Sequence, residues 1–226
     1  MPPHPQIKIC GLTREDQAAA CVAAGADAIG LIFYLKSPRH VSDAKGARIA
    51  DAVAGQAALV GVFVDAAEDE IVRRVKACRL TAVQLHGEEP ATLVDRLKKS
   101  GLTVIKALFA SRQPGFGKAV DYQPSAFLVE CGQGSLPGGN AHRWNWADAA
   151  ALDTTCPIVL AGGLTPYNIN QAITAARPAA VDISSGVEQM PGVKDINKVR
   201  HFIREVQNYT TVTPLEPVFS ERRSTC

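Results

Sequence analysis

Eight short runs of apolar and β-branched residues recur along this chain at a nearly even beat, and that beat limits the folds open to it. They are Gln6–Cys10, Asp27–Phe33, Leu59–Val64, Thr81–Leu85, Leu102–Ala107, Ala126–Glu130, Pro157–Ala161 and Ala180–Ser184. Their starts run from residue 6 to residue 180, about 25 residues apart on average. Most are separated by stretches with helical periodicity. One sets Ala18, Val22 and Ala26 against Arg14 and Glu15; another sets Ile71, Val72 and Val75 against Glu68, Arg73, Arg74 and Lys76. Apolar strands alternating with amphipathic helices form a parallel sheet covered by helices, since each strand must bury both faces. Eight such units predict a single (β/α)8 TIM barrel over residues 1–208, compact for a fold that typically takes about 250 residues. A doubly wound sheet with two added units is the competing architecture. Against it, the first strand is followed by Cys10-Gly11-Leu12-Thr13 and not by G-x-G-x-x-G.

Composition narrows the function classes. With 46% hydrophobic and 20% charged residues the chain can bury a large core. A formal charge of +2 leaves no electrostatic footprint for nucleic acid. No apolar run reaches the ~20 residues needed to cross a bilayer, so no membrane partner is expected. Met1-Pro2-Pro3-His4-Pro5 has neither the basic region nor the apolar core of a secretion signal. The six cysteines, at 10, 21, 78, 131, 156 and 226, form no C-x-x-C pair and have no histidine at metal-ligand spacing. A cytoplasmic protein with free thiols and no metal is the expectation.

Turn chemistry supports the register. Thr13 with Asp16 reads as a helix cap, and Thr165 before Pro166 as another. The last helix is expected over Asp195–Asn208, and residues 209–226 as an irregular tail lying on the surface.

Barrel enzymes place their chemistry at the carboxyl ends of the strands. There the chain carries Cys10, Arg39, Asp65, His86, Glu130, Gly162-Gly163, Asp182 and Ser184-Ser185-Gly186, with Lys106 inside the fifth strand. The period of two puts Lys8 on the face of Cys10, and Asp182 on the face of Ser184. Closure makes the first and last strands neighbours, so Lys8 and Asp182 are expected to pair inside the barrel, with the cation favouring a Cys10 thiolate. The other reading of Cys10 is a buried structural cysteine. Gly162-Gly163 and Ser184-Ser185-Gly186 fall on adjacent strands, seven and eight, where this fold usually holds phosphate. Ser185-Gly186-Val187-Glu188 also fits a capping box. Arg39, in a loop stiffened by Pro38, has a planar fork suited to a carboxylate. His86 is a donor to substrate or a satisfied core histidine. Glu130, ending an apolar strand, is an inward proton donor or the start of a polar loop.

Several motifs occur in one order. They are Lys8-Ile9-Cys10-Gly11-Leu12-Thr13, Ser37-Pro38-Arg39, Gly61-Val62-Phe63-Val64 and Val83-Gln84-Leu85-His86-Gly87-Glu88. Leu160-Ala161-Gly162-Gly163-Leu164-Thr165-Pro166, Val181-Asp182-Ile183-Ser184-Ser185-Gly186-Val187-Glu188 and Pro191-Gly192-Val193-Lys194-Asp195 complete the set. Over about residues 6 to 205 the chain closely resembles the phosphoribosylanthranilate isomerases of tryptophan biosynthesis. The resemblance implies a barrel without metal or cofactor that converts N-(5-phosphoribosyl)anthranilate to an open-chain 1-deoxyribulose 5-phosphate by an Amadori rearrangement. It implies Cys10 as general base, Arg39 on the anthranilate carboxylate, and the Gly162-Gly163 and Ser184-Ser185-Gly186 loops on the phosphate. That family has an aspartate as general acid at the end of strand six; here Glu130 stands there, one methylene longer. The following loop also departs, with Gly138-Gly139-Asn140-Ala141 in place of a Gly-Gly-Thr-Gly run.

The partner expected is a small phosphosugar–anthranilate compound, with the chain a monomer or homodimer. Two other classes compete. A Schiff-base aldolase of this fold would use Lys106 or Lys8. A non-catalytic phosphosugar-binding module would keep the phosphate loops and tolerate loss of Cys10.

Overall fold

The computed structural model describes residues 4–134, 142–210 and 215–219. Eight parallel strands close into one barrel in sequence order: β1 Gln6–Cys10, β2 Ala28–Ile32, β3 Ala58–Phe63, β4 Ala82–Leu85, β5 Thr103–Phe109, β6 Ala126–Glu130, β7 Ile158–Leu160 and β8 Ala180–Ile183. Six helices pack around them: α1 Glu15–Ala23, α2 Asp43–Ala52, α3 Glu68–Ala77, α4 Ala91–Lys99, α6 Ile169–Ala176 and α7 Ile196–Gln207. A 3₁₀ segment, Phe116–Asp121, replaces the helix after β5, and α5 after β6 is one short turn, Ala147–Ala150. These two short units let the barrel close in fewer residues than the fold usually takes. No helix among the described residues is long and apolar enough to cross a membrane.

Strand parity sorts the side chains into two packed sets. Ile7, Ile9, Val83, Leu85, Val104 and Leu108 face the helices. Val60, Ile105, Ala107, Leu128 and Val159 fill the interior. Lys106 therefore points out of the barrel between Ile105 and Ala107, into the layer beneath the helices. Its Nζ is fully buried and donates to Gly87 O at 2.6 Å, Glu89 Oε2 at 2.9 Å and Leu85 O at 3.3 Å. That location removes it as a Schiff-base lysine.

Several caps differ from expectation. Thr13 does not cap α1; its hydroxyl donates to Gly192 O at 2.6 Å, and Arg14 occupies the cap position. The helix expected after Thr165 starts only at Ile169, because Asn168 Oδ1 first accepts from Thr165 N at 2.8 Å in a closed turn. Asp195 does cap α7, accepting from Asn197 N at 3.0 Å and Lys198 N at 3.2 Å.

The tail expected on the surface is in part a plug. Val218 and Phe219 are buried in the interior set with Ala58, Ala82, Ala126 and Ala180. Gln6, at the start of β1, holds them: its Oε1 accepts from Val218 N at 2.7 Å and Phe219 N at 2.8 Å, and its Nε2 donates to Phe219 O at 2.8 Å. Small side chains around the amino-terminal mouth leave a space that one aromatic ring fills.

Candidate active site

At the opposite end of the barrel the strand termini surround a cavity. Cys10, Arg39, His86, Glu130, Gly162, Gly163, Asp182, Ser184, Ser185 and Gly186 all line it. Lys106 and Asp65 do not, Asp65 accepting instead from Glu88 N at 2.7 Å, and neither does Lys8. It lies fully buried below Cys10, paired with Asp182 at 3.0 Å across the β1–β8 seam. From there it can set charge beneath the site.

Burial opposes the charge on Lys8, yet Asp182 and Cys10 outweigh it and raise its pKa above the ordinary lysine value. From the sequence this cation is expected to favour a thiolate at Cys10. It does pull in that direction, but burial dominates: the Cys10 thiol is pushed above its usual pKa, with Asp182 adding to the rise. Burial thus favours the neutral thiol over the thiolate at Cys10.

The end of β6 brings Glu130 inward, so it is not the start of a polar loop. Its Oε1 lies 3.1 Å from His86 Nε2, and His86 Nδ1 lies 2.9 Å from Gln84 Nε2. Gln84, His86 and Glu130 thus form one buried hydrogen-bonded chain, its direction set by the histidine tautomer. Gln84 Oε1 is buried with no hydrogen-bond partner among the described residues, and its side chain lines the cavity. Sequence reading assigned Gln84 no role; the only signal was a polar residue at an inward position of β4.

The glycine pair after β7 has two uses. Gly162 and Gly163 adopt φ of 86° and 70°, and a Cβ on either would press on the 142–144 segment, 3.0 Å from Trp144 Nε1 or 2.8 Å from Arg143 Cα. Their carbonyls are held by Trp146 Nε1 at 3.2 Å and Asn168 Nδ2 at 2.9 Å. The amides of Gly162, Gly163, Ser185 and Gly186 donate to no acceptor among the described residues. Held carbonyls and unspent amides along two adjacent loops suit an oxyanion. The capping-box reading of Ser185 and Glu188 does not hold: Ser185–Val187 is a single 3₁₀ turn without a side-chain cap. Glu188 turns instead toward Arg39.

That ion pair alters the expectation for Arg39. Two of its donors are already taken, Nε by Glu188 Oε1 at 2.9 Å and Nη2 by Glu188 Oε2 at 2.7 Å. Nη1 has no protein partner among the described residues, and with the second hydrogen of Nη2 it is what the side chain can still offer. Glu188 and Lys194 thus belong to the site's support, whereas the sequence offers a capping-box position for Glu188 and a motif position for Lys194. The loop substitution Gly138-Gly139-Asn140-Ala141 lies outside the described residues.

A closed barrel with a thiol, a glutamate carboxyl group and free amides facing one cavity at the carboxyl ends of its strands defines a (β/α)8-barrel enzyme. Comparison with known proteins narrows this. A family model described as N-(5'-phosphoribosyl)anthranilate (PRA) isomerase matches residues 7–205. The N-(5'-phosphoribosyl)anthranilate isomerase of Desulfatibacillum aliphaticivorans is 50% identical over 199 residues, covering 88% of this chain and 91% of that one. The crystal structure of phosphoribosyl anthranilate isomerase from Thermotoga maritima matches with a TM-score of 0.83 at 35% identity, over 91% of this chain and all of the other. A further structure of the enzyme, in complex with reduced 1-(o-carboxyphenylamino)-1-deoxyribulose 5-phosphate, matches with a TM-score of 0.79 at 34% identity over 91% of this chain and all of that one. The chain belongs to the N-(5'-phosphoribosyl)anthranilate isomerase family.

Proposed function

We propose that this cavity converts N-(5-phosphoribosyl)anthranilate to 1-(2-carboxyphenylamino)-1-deoxyribulose 5-phosphate in the cytoplasmic synthesis of tryptophan, with Cys10 as base and Glu130 as acid. The observation that carries the assignment is that Cys10 and Glu130 enter one cavity from β1 and β6, well separated around the ring. A sugar lying between them meets an acid on one side and a base on the other. Glu130 donates a proton to the ribose ring oxygen as the C1–O bond breaks, leaving an iminium conjugated to the aromatic amine. Cys10 removes the C2 proton, and the enolamine gains a proton at C1 while the C2 hydroxyl loses one, giving the aminoketone. No atom is gained or lost.

The anionic ends of the substrate fit the rest of the mouth. The phosphate suits the amides of Gly162, Gly163, Ser185 and Gly186 with the Ser184 and Ser185 hydroxyls. The anthranilate carboxylate suits the free Nη1 edge of Arg39. No lysine among the described residues lines the cavity, which argues against the aldolase reading.

The test is the loss of phosphoribosylanthranilate fluorescence on adding purified protein. Persistence of the signal at micromolar enzyme would overturn the assignment, and tight product binding without turnover would support a binding module instead.

A further inference from the structure

We propose that Glu188 is a positioning residue for substrate recognition, fixing Arg39 so that a single guanidinium edge meets the substrate's carboxylate. The inference rests on the reading of Arg39 as the carboxylate-binding group.

Glu188 begins a small antiparallel hairpin after β8, built from β9 Glu188–Met190 and β10 Val193–Lys194. Its carboxylate is buried and collects four donors. Arg39 supplies two, Lys194 Nζ reaches Oε1 at 2.9 Å, and Gly192 N reaches the same oxygen at 3.1 Å. A two-pronged bond to a planar group removes its rotational freedom, so Nη1 has one place to be. The far side of Arg39 is walled by Gly11, where a Cβ would fall 2.6 Å from Arg39 Cδ. Lys194 carries the arrangement to the cavity wall, donating to Ser184 O at 3.1 Å and Ser184 Oγ at 3.3 Å.

Charge supports a recognition role beyond a structural clamp. Arg39 and Lys194 share one carboxylate, so Glu188 offsets the Arg39 charge only in part beside the cavity. Burial lowers the Lys194 pKa below the ordinary lysine value, with Glu188 opposing the fall. Burial alone would raise the Glu188 carboxyl, but Arg39 and Lys194 outweigh it and hold it below the usual carboxylate range. Glu188 is therefore ionised at working pH, and Arg39 keeps charge for a substrate carboxylate at Nη1.

The experiment compares kcat/KM for the anthranilate substrate with that for its aniline counterpart, which has no carboxylate. In the wild type this ratio measures carboxylate recognition. Glu188→Gln keeps the shape but loses the charge, and it is expected to lower the ratio by ~10-fold or more, chiefly through KM. Arg39→Gln should lower it as well. If Arg39→Gln collapses the ratio and Glu188→Gln preserves it, Glu188 does not position Arg39, and the proposal fails while the Arg39 reading stands. If Arg39→Gln leaves the ratio unchanged, the Arg39 reading fails and takes the proposal with it. An equal loss of kcat on both substrates in Glu188→Gln also overturns it. Should Glu188→Gln not fold, Glu188→Asp is read by the same ratio. Failure of both to fold assigns Glu188 to the fold alone and overturns the proposal.

Discussion

Lys8 Nζ sits 3.0 Å from Asp182 Oδ1, joining the first and last strands of the barrel across 174 residues of sequence. Both groups are buried, and the pair lies in register, Lys8 opposite Asp182. It closes the ring and places a cation under the Cys10 thiol.

Breaking that pair should be costly. Lys8→Met leaves a buried carboxylate without its partner, so unfolding stability should fall by about 3–5 kcal/mol. Lys8→Met with Asp182→Leu should regain part of the loss. Denaturant titration measures both; equal stabilities for the single and double variants would show that the pair is not the source.

Cys10 should behave as a buried thiol. Its pKa is raised, so the neutral form persists to higher pH than in a free cysteine, and both alkylation and kcat/KM should climb as pH rises through the ordinary thiol range. Lys8→Met removes the main opposing influence and should slow alkylation at every pH. Peptide mapping after iodoacetamide treatment follows Cys10 separately from Cys21, Cys78, Cys131 and Cys156. A rate flat between pH 6 and 9 would contradict the assignment.

Removing either reacting group should stall turnover. Cys10→Ala and Glu130→Gln are each expected to lower kcat by ~10²-fold or more, the usual scale for acid–base groups. Glu130→Asp keeps the acid but draws it back from His86 Nε2, so it should retain more activity than Glu130→Gln. A steady-state fluorescence assay ranks the three; wild-type kcat in Cys10→Ala or Glu130→Gln removes that residue from the mechanism.

The plug should matter to stability and not to chemistry. Phe219 fills the mouth opposite the cavity, so Phe219→Ala should destabilise by on the order of 3 kcal/mol with kcat unchanged. Thermal unfolding and a turnover assay on one preparation check this. An unaltered Tm would mean that Val218 and Phe219 rest on the barrel without holding it.

Strand positions were readable along the chain because an apolar run with a period of two is a local signal. β1 and β6 match expectation residue for residue, and the other six differ only at their ends. Inward facing at strand ends is readable for Cys10 and Ser184 by the same parity, while Glu130 stays open between an inward acid and a polar loop until β6 is seen to run through it. Parity against Ile105 and Ala107 puts Lys106 on the outer face, where Glu89 pairs with it. Thr13 and Glu188 were read as caps because capping boxes are local patterns. Their actual partners, Gly192 and Arg39, lie 179 and 149 residues away. No local pattern reports such a distance.

The amino-acid sequence by itself determined the eight-fold alternation, the chemical groups at the strand ends and the family to which they belong, since periodicity and motif order are properties of neighbours in the chain. Only the tertiary structure decided how those groups are spent. It buries Lys8 beneath the site, commits two donors of Arg39 to Glu188, raises the Cys10 thiol, and folds Phe219 back into the barrel mouth. The reason is that hydrogen-bond partners and desolvation depend on what lies within a few ångströms, and barrel closure fills that space with residues from the opposite end of the chain.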